Sequence, residues 1–98
     1  MRMRLRYELG LEETNEAIRT GKIEEINQSL AERTRPEAQY FGTENGRRTG
    51  YIFFDLADTS QIPVIAEPLF HHLAATVAFI PVMNADDLQR GLAQAAQP

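Results

Sequence analysis

Two adjacent histidines, His71 and His72, are the first residues of this sequence to consider for acid–base chemistry. Neighbouring residues on a helix point about 100° apart, so the pair is poorly placed to bind one metal ion. The apolar stripe that begins at Ile62 places His71 towards solvent and His72 on the flank of the stripe, facing a cleft between helix and sheet. His72 is therefore a candidate for a catalytic or ligand-binding site, although an ordinary boundary histidine is the interpretation that we favour.

Tyr51 and Asp55 complete the predicted catalytic set. Tyrosine and histidine can transfer protons, and Asp55 could orient either of them. Tyr7 and Tyr40 are the further polar aromatics that we expect to line an apolar ligand pocket, while most other aromatics are expected in the core. The sequence has no Ser/His/Asp signature, no glycine-rich phosphate loop and no paired-histidine metal spacing, so we predict no metal and no cofactor.

Three arginines at alternate positions form the only concentrated positive feature, Arg2, Arg4 and Arg6. Arginine forks match carboxylate and phosphate groups, so Arg4 and Arg6 are predicted ligand-binding residues. The alternative is that the arginines pair with Asp55, with Glu8 or with acids of a second copy, because like charges on one strand face repel unless neutralised. We favour this alternative.

The arginines belong to a predicted strand over residues 1–9 in which apolar and charged side chains alternate. Successive strand side chains point to opposite faces, so Met3, Leu5 and Tyr7 share a dry face and the arginines share the other. Gly10 ends the alternation. A helical pattern begins near Glu12, can be split at Gly21 and should end before Arg35, since Pro36 disfavours the α conformation in the preceding residue.

Two further strands, over residues 38–42 and 50–56, are predicted from aromatic and β-branched residues on either side of a hairpin signal at Asn45-Gly46. Arg47 and Arg48, beside the hairpin, are expected to be solvated. A second helix follows the capping residues 58–60, and a last strand covers residues 76–83, where Pro81 favours an edge position. Residues 84–87 suggest the capped start of a short helix, and the tail from about residue 93 to 98 is expected to fray.

The order of these elements predicts an α+β fold, the ferredoxin-like βαββαβ arrangement, with a short C-terminal helix. The chain of 98 residues is long enough for one domain, spanning 1–98. In this topology the first and third strands are central and both helices cover one face of the sheet. The other face carries the arginines together with Tyr51, Phe53 and Asp55, and we expect a second copy of the chain to cover it.

The composition excludes several classes of function. Without cysteine there is no disulfide and no thiolate nucleophile, and a net charge of −4 argues against binding nucleic acid. No segment approaches the roughly 20 apolar residues of a membrane span, and no signal peptide is expected. We therefore expect a cytoplasmic protein that does not bind a membrane.

Three segments, residues 36–41, 54–63 and 81–88, resemble a family of short bacterial proteins of unassigned function. The resemblance covers nearly the whole chain and implies the dimeric α+β barrel group, in which two ferredoxin-like sheets pack face to face. That group includes muconolactone isomerases, cofactor-free quinol monooxygenases and haem-dependent peroxidases. The catalytic motifs of those enzymes have no residue-level match here, so the resemblance implies no site residue.

Two functional hypotheses follow. The first is a homodimeric module that binds a small organic molecule or a protein partner. The second is a cofactor-free enzyme of the isomerase or monooxygenase type that acts on a small aromatic or anionic substrate. We favour the first, because no catalytic set is complete. An enclosed pocket on which His72 and a tyrosine converge would favour the second.

Overall fold

A computed structural model of the chain describes residues 1–97. It contains a four-stranded antiparallel sheet and four helices. In chain order the elements are β1 (Arg2–Glu8), α1 (Leu11–Thr20), α2 (Lys22–Thr34), β2 (Ala38–Glu44), β3 (Arg47–Asp55), α3 (Gln61–Leu73), β4 (Thr76–Pro81) and α4 (Ala85–Ala95).

The strands are ordered β2-β3-β1-β4, and all three neighbouring pairs are antiparallel. The prediction that the first and third strands are central is confirmed, as is the edge position of the strand that contains Pro81. Of the predicted ferredoxin-like arrangement, the α+β class and the antiparallel sheet are therefore present. The helices are more numerous than the basic arrangement requires.

Alternation along β1 separates the two faces of the sheet as predicted. Met3, Leu5 and Tyr7 are each at most 4% exposed, whereas the arginines between them are half-buried. The dry face packs against α1, α2 and α3 in one apolar cluster, which includes Ile52 and Phe54 from β3. We call the opposite face of the sheet, which carries the arginines, the open face.

Gly21 divides the first helical segment into α1 and α2, as the sequence suggested. It has φ = 80°, a left-handed conformation that glycine adopts without a steric penalty, and it lies between the two helices. At the end of α2, Arg35 leaves the helical conformation with φ = 46° just before Pro36. The predicted helix end is therefore confirmed.

The hairpin between β2 and β3 is tighter than predicted. Its turn contains only Asn45 and Gly46, both with positive φ, which is typical of a two-residue hairpin turn. The ladder continues through Glu44 opposite Arg47, so the residues predicted as loop extend both strands. As a consequence, Arg48 lies within β3, and its predicted solvation is wrong: it is half-buried.

Helix α4 has no buried residue, and its leucines Leu88 and Leu92 are 45% and 60% exposed. The chain extends 58 Å along its longest axis, and its radius of gyration of 15.8 Å exceeds the roughly 13 Å of a compact domain of this length. The tail was expected to fray from about residue 93, and α4 extends two residues beyond that point, to Ala95. Pro98 lies outside the described residues.

Candidate functional site

A cavity of about 210 Å³ lies between the sheet and helices α1 and α2. We call it the Tyr7 cavity. Most of its walls are apolar or backbone. Its lining residues are Tyr7, Leu9, Thr14, Ile18, Ile23, Asn27, Phe41, Gly42, Arg48, Thr49 and Gly50. Phe41 and Ile18 are 66% and 48% exposed, so the cavity has an apolar rim at the protein surface.

Tyr7 reaches the cavity because its cross-strand neighbour is a glycine. Tyr7 on β1 is directly opposite Gly50 on β3, and a Cβ at position 50 would overlap the Tyr7 ring and hydroxyl. The ring therefore lies over bare backbone and is 1% exposed. Burial raises the pKa of Tyr7, and the nearby Gln39 side chain opposes that rise. Among residues 1–97, the Tyr7 hydroxyl has no hydrogen-bond partner of acceptable geometry.

Thr14 contributes a second buried hydroxyl from α1. The start of that helix is fixed against the end of α3, where the Gly10 amide donates a hydrogen bond of 2.8 Å to the Leu73 carbonyl. A Cβ at Gly10 would lie 2.8 Å from the same carbonyl oxygen, so only glycine permits this approach. Thr14 is 1% exposed, and the described chain offers its Oγ1 no hydrogen-bond partner.

Arg48 supplies a cation to the same cavity. Its Nη2 donates to the neutral Oδ1 of Asn15 at 2.9 Å, while its Nη1 is buried and finds no partner within residues 1–97. No carboxylate of the described residues lies within 4.0 Å of its guanidinium nitrogens. Three of the four buried side-chain atoms without a partner in the described chain thus belong to residues that line this one cavity.

His72 lines a different depression, a groove of about 250 Å³ between α2 and α3. Ile26, Leu30 and Leu69 form the apolar floor of this groove, and Lys22 and Arg33 are among its charged residues. His72 is exposed. The predicted cleft between helix and sheet is therefore a groove between two helices, because α2 packs beside α3 on that flank.

Tyr51, the second predicted catalytic residue, lies on the open face. Its hydroxyl donates to Glu44 at 2.5 Å, and Arg6 donates to the same carboxylate at 2.6 Å and to Glu8 at 2.8 Å. Hydrogen bonds from Tyr51 and Arg6 lower the pKa of Glu44, and the bond to Glu44 raises the pKa of Tyr51. The predicted pairing of an arginine with Glu8 is confirmed by Arg6.

Asp55 does not pair with an arginine, although β-pairing places it opposite Arg2. Its carboxylate instead accepts a hydrogen bond of 2.7 Å from the amino group of Met1, while Arg2 binds Glu37 at 2.7 Å and Asp87 at 3.3 Å. The predicted pairing with Asp55 is therefore wrong, because Glu37, just before β2, and Asp87 on α4 bind Arg2 while Asp55 binds the Met1 amino group.

Arg4 and Tyr40 also lie on the open face. The Nε of Arg4 is buried, and no hydrogen-bond partner for it exists in the described part of the chain. Tyr40 on β2 is 63% exposed. The structure therefore places Tyr7 at the Tyr7 cavity, His72 in the helix groove and the remaining predicted site residues on the open face.

No family model, curated protein or solved structure matches the chain. Within residues 1–97, no group of three or more metal-ligating side chains is close enough to hold a metal ion, and no helix is long and apolar enough to cross a membrane.

Sequence reasoning missed Thr14 and Arg48. Both could have been found from the periodicity of their elements. Arg48 lies an even number of positions before Ile52 and Phe54, so its side chain points to the same face of a strand. A strand extended back to Arg47 therefore places Arg48 on the dry face. Thr14 precedes Ala17 by three residues, which is the spacing of one helix face.

Proposed function

We propose that this protein is a binding module for a small organic molecule, which it holds in the Tyr7 cavity. The observation that carries the proposal is an apolar cavity at which three of the lining residues, Tyr7, Thr14 and Arg48, each hold a buried polar atom without a partner in the described chain. A buried hydroxyl without a hydrogen bond costs about 1–3 kcal/mol, and folded proteins seldom retain such groups without a reason.

The proposal also fits the way in which small-molecule sites are built. Such sites combine mainly apolar walls with a few polar groups that fix the orientation of the ligand. Here the walls come from β1, β2, β3, α1 and α2, so each polar group is carried by a regular element of secondary structure.

The enzyme hypothesis requires His72, Tyr51 and Asp55 to act on one substrate. Within one chain His72 lies on the helix side of the sheet and Tyr51 on the open face, so one substrate cannot reach both. No observation on residues 1–97 favours this alternative over the binding module.

A fragment screen monitored by two-dimensional ¹H–¹⁵N NMR tests the proposal. We expect fragments to shift the amide resonances of Thr14, Arg48 and Gly50 in a saturable manner. The groove that contains His72 serves as an internal comparison, because it is slightly larger but lacks the unpaired polar atoms. If fragments bind only in that groove, or at neither place, the proposal fails.

We also propose that two copies associate through their open faces, as in the dimeric α+β barrel group to which the sequence shows a resemblance. Tyr40 and Ile80 are 63% and 41% exposed on this face, beside half-buried Phe53 and Tyr51. The buried Nε of Arg4 would gain an acceptor if a carboxylate of the second copy approached it.

The area of the open face sets what a dimer through it would have to bury. Four strands about 4.8 Å apart and about seven residues long present a flat area of about 450 Å². A stable interface buries about 800 Å² per partner. The side chains that project from the sheet and the exposed leucines of α4 must therefore contribute the remaining area. Helix α4 begins beside the open face, where Asp87 binds Arg2.

Size-exclusion chromatography with light scattering tests the association. We expect twice the mass of the chain, and we expect Ile80→Glu to give a monomer because it introduces a charge on the open face. Val64→Glu, on the exposed side of α3, is the matched control and should leave the dimer intact. A wild-type protein that stays monomeric at high concentration would overturn this proposal.

A further inference from the structure

Strand β2 lies at one edge of the sheet, and its outer side is unpaired within the described chain. The Arg48 carbonyl accepts a hydrogen bond of 2.8 Å from the Leu9 amide, so the backbone groups of Arg48 point towards β1. Thr43, the β2 residue opposite Arg48, therefore directs its own N–H and C=O groups away from β3. Alternation along the strand gives the same direction to the backbone groups of Phe41 and Gln39. These three residues present a row of backbone donors and acceptors at the edge of the sheet.

Edge strands usually carry a feature that prevents pairing with another chain, such as a lysine, a proline or a bulge. The other edge strand of this sheet, β4, ends with Pro81. Strand β2 has no lysine, arginine or proline between Ala38 and Glu44, and it pairs with β3 without interruption, so it contains no bulge. Its one charged side chain, Glu44, binds Arg6 and Tyr51 on the open face. The outer side of β2 is therefore open to pairing.

Two aromatic side chains at the centre of β2 are exposed, one on each face of the sheet. Tyr40 is 63% exposed on the open face, and Phe41 is 66% exposed on the helix side. Gly42 has open space beside it, because a Cβ there would meet nothing within 4 Å. Consecutive residues of the edge strand thus present two unpacked rings and one unfilled position.

An antiparallel pair of two β2 strands fits these features. The register that pairs the whole strand is centred on Phe41, because both ends of β2 lie three residues away from it. In that register Phe41 lies opposite the Phe41 of the other copy, and Tyr40 lies opposite Gly42. Directly opposite residues share a face, so each Tyr40 ring covers the bare backbone of a Gly42. Within one chain, Tyr7 covers Gly50 in the same way.

The ends of the strand are compatible with the same register. Glu44 lies opposite Ala38, and Glu37 lies opposite Asn45, so no two like charges are directly opposite each other. A second copy of β2 supplies both the ring and the gap that the register requires. An unrelated peptide strand need not supply either, so the second copy is the occupant that these residues favour.

We propose that two copies of the chain associate through antiparallel pairing of their β2 strands, with Phe41 at the centre of the pair. This contact is separate from the open-face association and does not depend on it. A two-fold axis perpendicular to the sheet relates the copies, so the helices of both lie on the same side of the joined sheet. The partner's Phe41 then lies beside the rim of the Tyr7 cavity, to which Phe41 already contributes. The second copy thus adds an apolar residue to the proposed ligand site.

The area of this contact sets its strength. A strand of seven residues is about 24 Å long, and a sheet edge about 10 Å thick presents about 240 Å². A stable interface buries about 800 Å² per partner, so the pairing of β2 strands is weak and reversible. We expect it at protein concentrations of about 1 mM, whereas the larger open-face contact is expected at lower concentration.

Light scattering over a concentration series from about 0.02 mM to about 1 mM tests the proposal. The mass at the lowest concentrations defines a plateau, which is one chain or two according to whether the open faces associate. We expect the mass to rise from that plateau towards twice its value at the highest concentration. Over the same series the amide resonances of Gln39, Phe41 and Thr43 should shift, because these amides enter hydrogen bonds between copies.

Two substitutions at one exposed position provide a matched pair. Thr43→Pro removes an outward-facing amide without removing a bond between β2 and β3, so it should abolish the rise in mass. Thr43→Val keeps the amide and should leave the rise unchanged. Gly42→Lys provides an independent reading if Thr43→Pro does not fold. It meets open space within one chain, but it places a charged side chain where the Tyr40 ring of the other copy lies, so it should also abolish the rise.

Ile80→Glu separates this contact from the open-face association, because it should lower the plateau to a single chain and leave the rise in place. If the wild-type mass stays at its plateau up to about 1 mM, the pairing of β2 strands is overturned and the earlier proposals are unaffected. The pairing is also overturned if Thr43→Pro and Gly42→Lys both fold and associate as the wild type does. If Ile80→Glu abolishes the rise while Thr43→Pro does not, the increase in mass comes from the open faces and the pairing of β2 strands is again overturned.

Discussion

Replacing Tyr7 with phenylalanine should stabilise the protein in the absence of ligand. The hydroxyl is removed while the ring keeps its position over Gly50, so the packing of the 1% exposed ring is preserved. The hydroxyl has no hydrogen-bond partner among residues 1–97, and its burial costs about 1–3 kcal/mol. Because the nearby Gln39 side chain opposes the rise in the Tyr7 pKa and so interacts with the hydroxyl, we expect a gain near the lower limit, about 1 kcal/mol.

Urea unfolding followed by circular dichroism measures this gain. The midpoint should rise without a change in slope, and the melting temperature should rise by about 4–8 °C for a change of 1 kcal/mol in a chain of this length. Tyr40→Phe is the matched control, since Tyr40 is 63% exposed, and its effect should stay within about 0.5 kcal/mol.

A loss of stability in Tyr7→Phe would contradict this expectation. Replacing a buried, well hydrogen-bonded tyrosine with phenylalanine lowers the free energy of unfolding of a protein by about 1 kcal/mol. If Tyr7→Phe lowers the free energy of unfolding by that amount while Tyr40→Phe does not, the hydroxyl is satisfied in the folded protein. A ligand would then not be needed to explain the buried hydroxyl of Tyr7.

Three further perturbations have defined outcomes. Gly50→Ala should lower the free energy of unfolding by about 1–3 kcal/mol in urea melts, because the added methyl overlaps a buried ring, whereas Gly42→Ala meets nothing within 4 Å and should not. Asn84→Ala removes the N-cap of an unburied helix, so hydrogen-exchange protection within α4 should fall about fivefold while the global unfolding midpoint is unchanged. The folded-state pKa of Glu44 is lowered from its usual value near 4.5, so its stabilising contribution is present above that value and is lost as the pH falls through the lowered pKa. Tyr51→Phe removes the largest cause of the lowering, and the carboxyl ¹³C titration of Glu44 should move to higher pH; an unchanged titration would contradict this assignment.

The alternation in β1 was sufficient to predict the two faces of the sheet, because a period of two allows only one assignment once one side is apolar. The residues at the cavity depend on more than this local pattern. Tyr7 reaches the cavity only because the register places it opposite Gly50, and register follows from the length of the hairpin turn. An error of a few residues at that turn was enough to assign Arg48 to solvent.

The partners of the open-face arginines could be predicted only in part. Glu8 lies two residues from Arg6 on the same strand, so their contact is local and can be read from the sequence. Glu44 and Asp87 reach Arg6 and Arg2 from β2 and α4, and these distant contacts depend on the three-dimensional arrangement. Asp55 lies directly opposite Arg2 in the β1–β3 ladder, yet it forms its ion pair with the Met1 amino group and not with Arg2.

Asp87 combines two tasks that proteins usually assign to separate residues. Its carboxylate accepts the Asn84 amide in the capping box of α4, and the same side chain binds Arg2 of β1 and Arg90 of its own helix. The formation of α4 and its attachment to the sheet therefore share one ionised group, whose pKa is lowered first by the Asn84 amide and further by the two arginines. Protonation of that single group would therefore weaken the capping box of α4 and its contact with β1 at the same time.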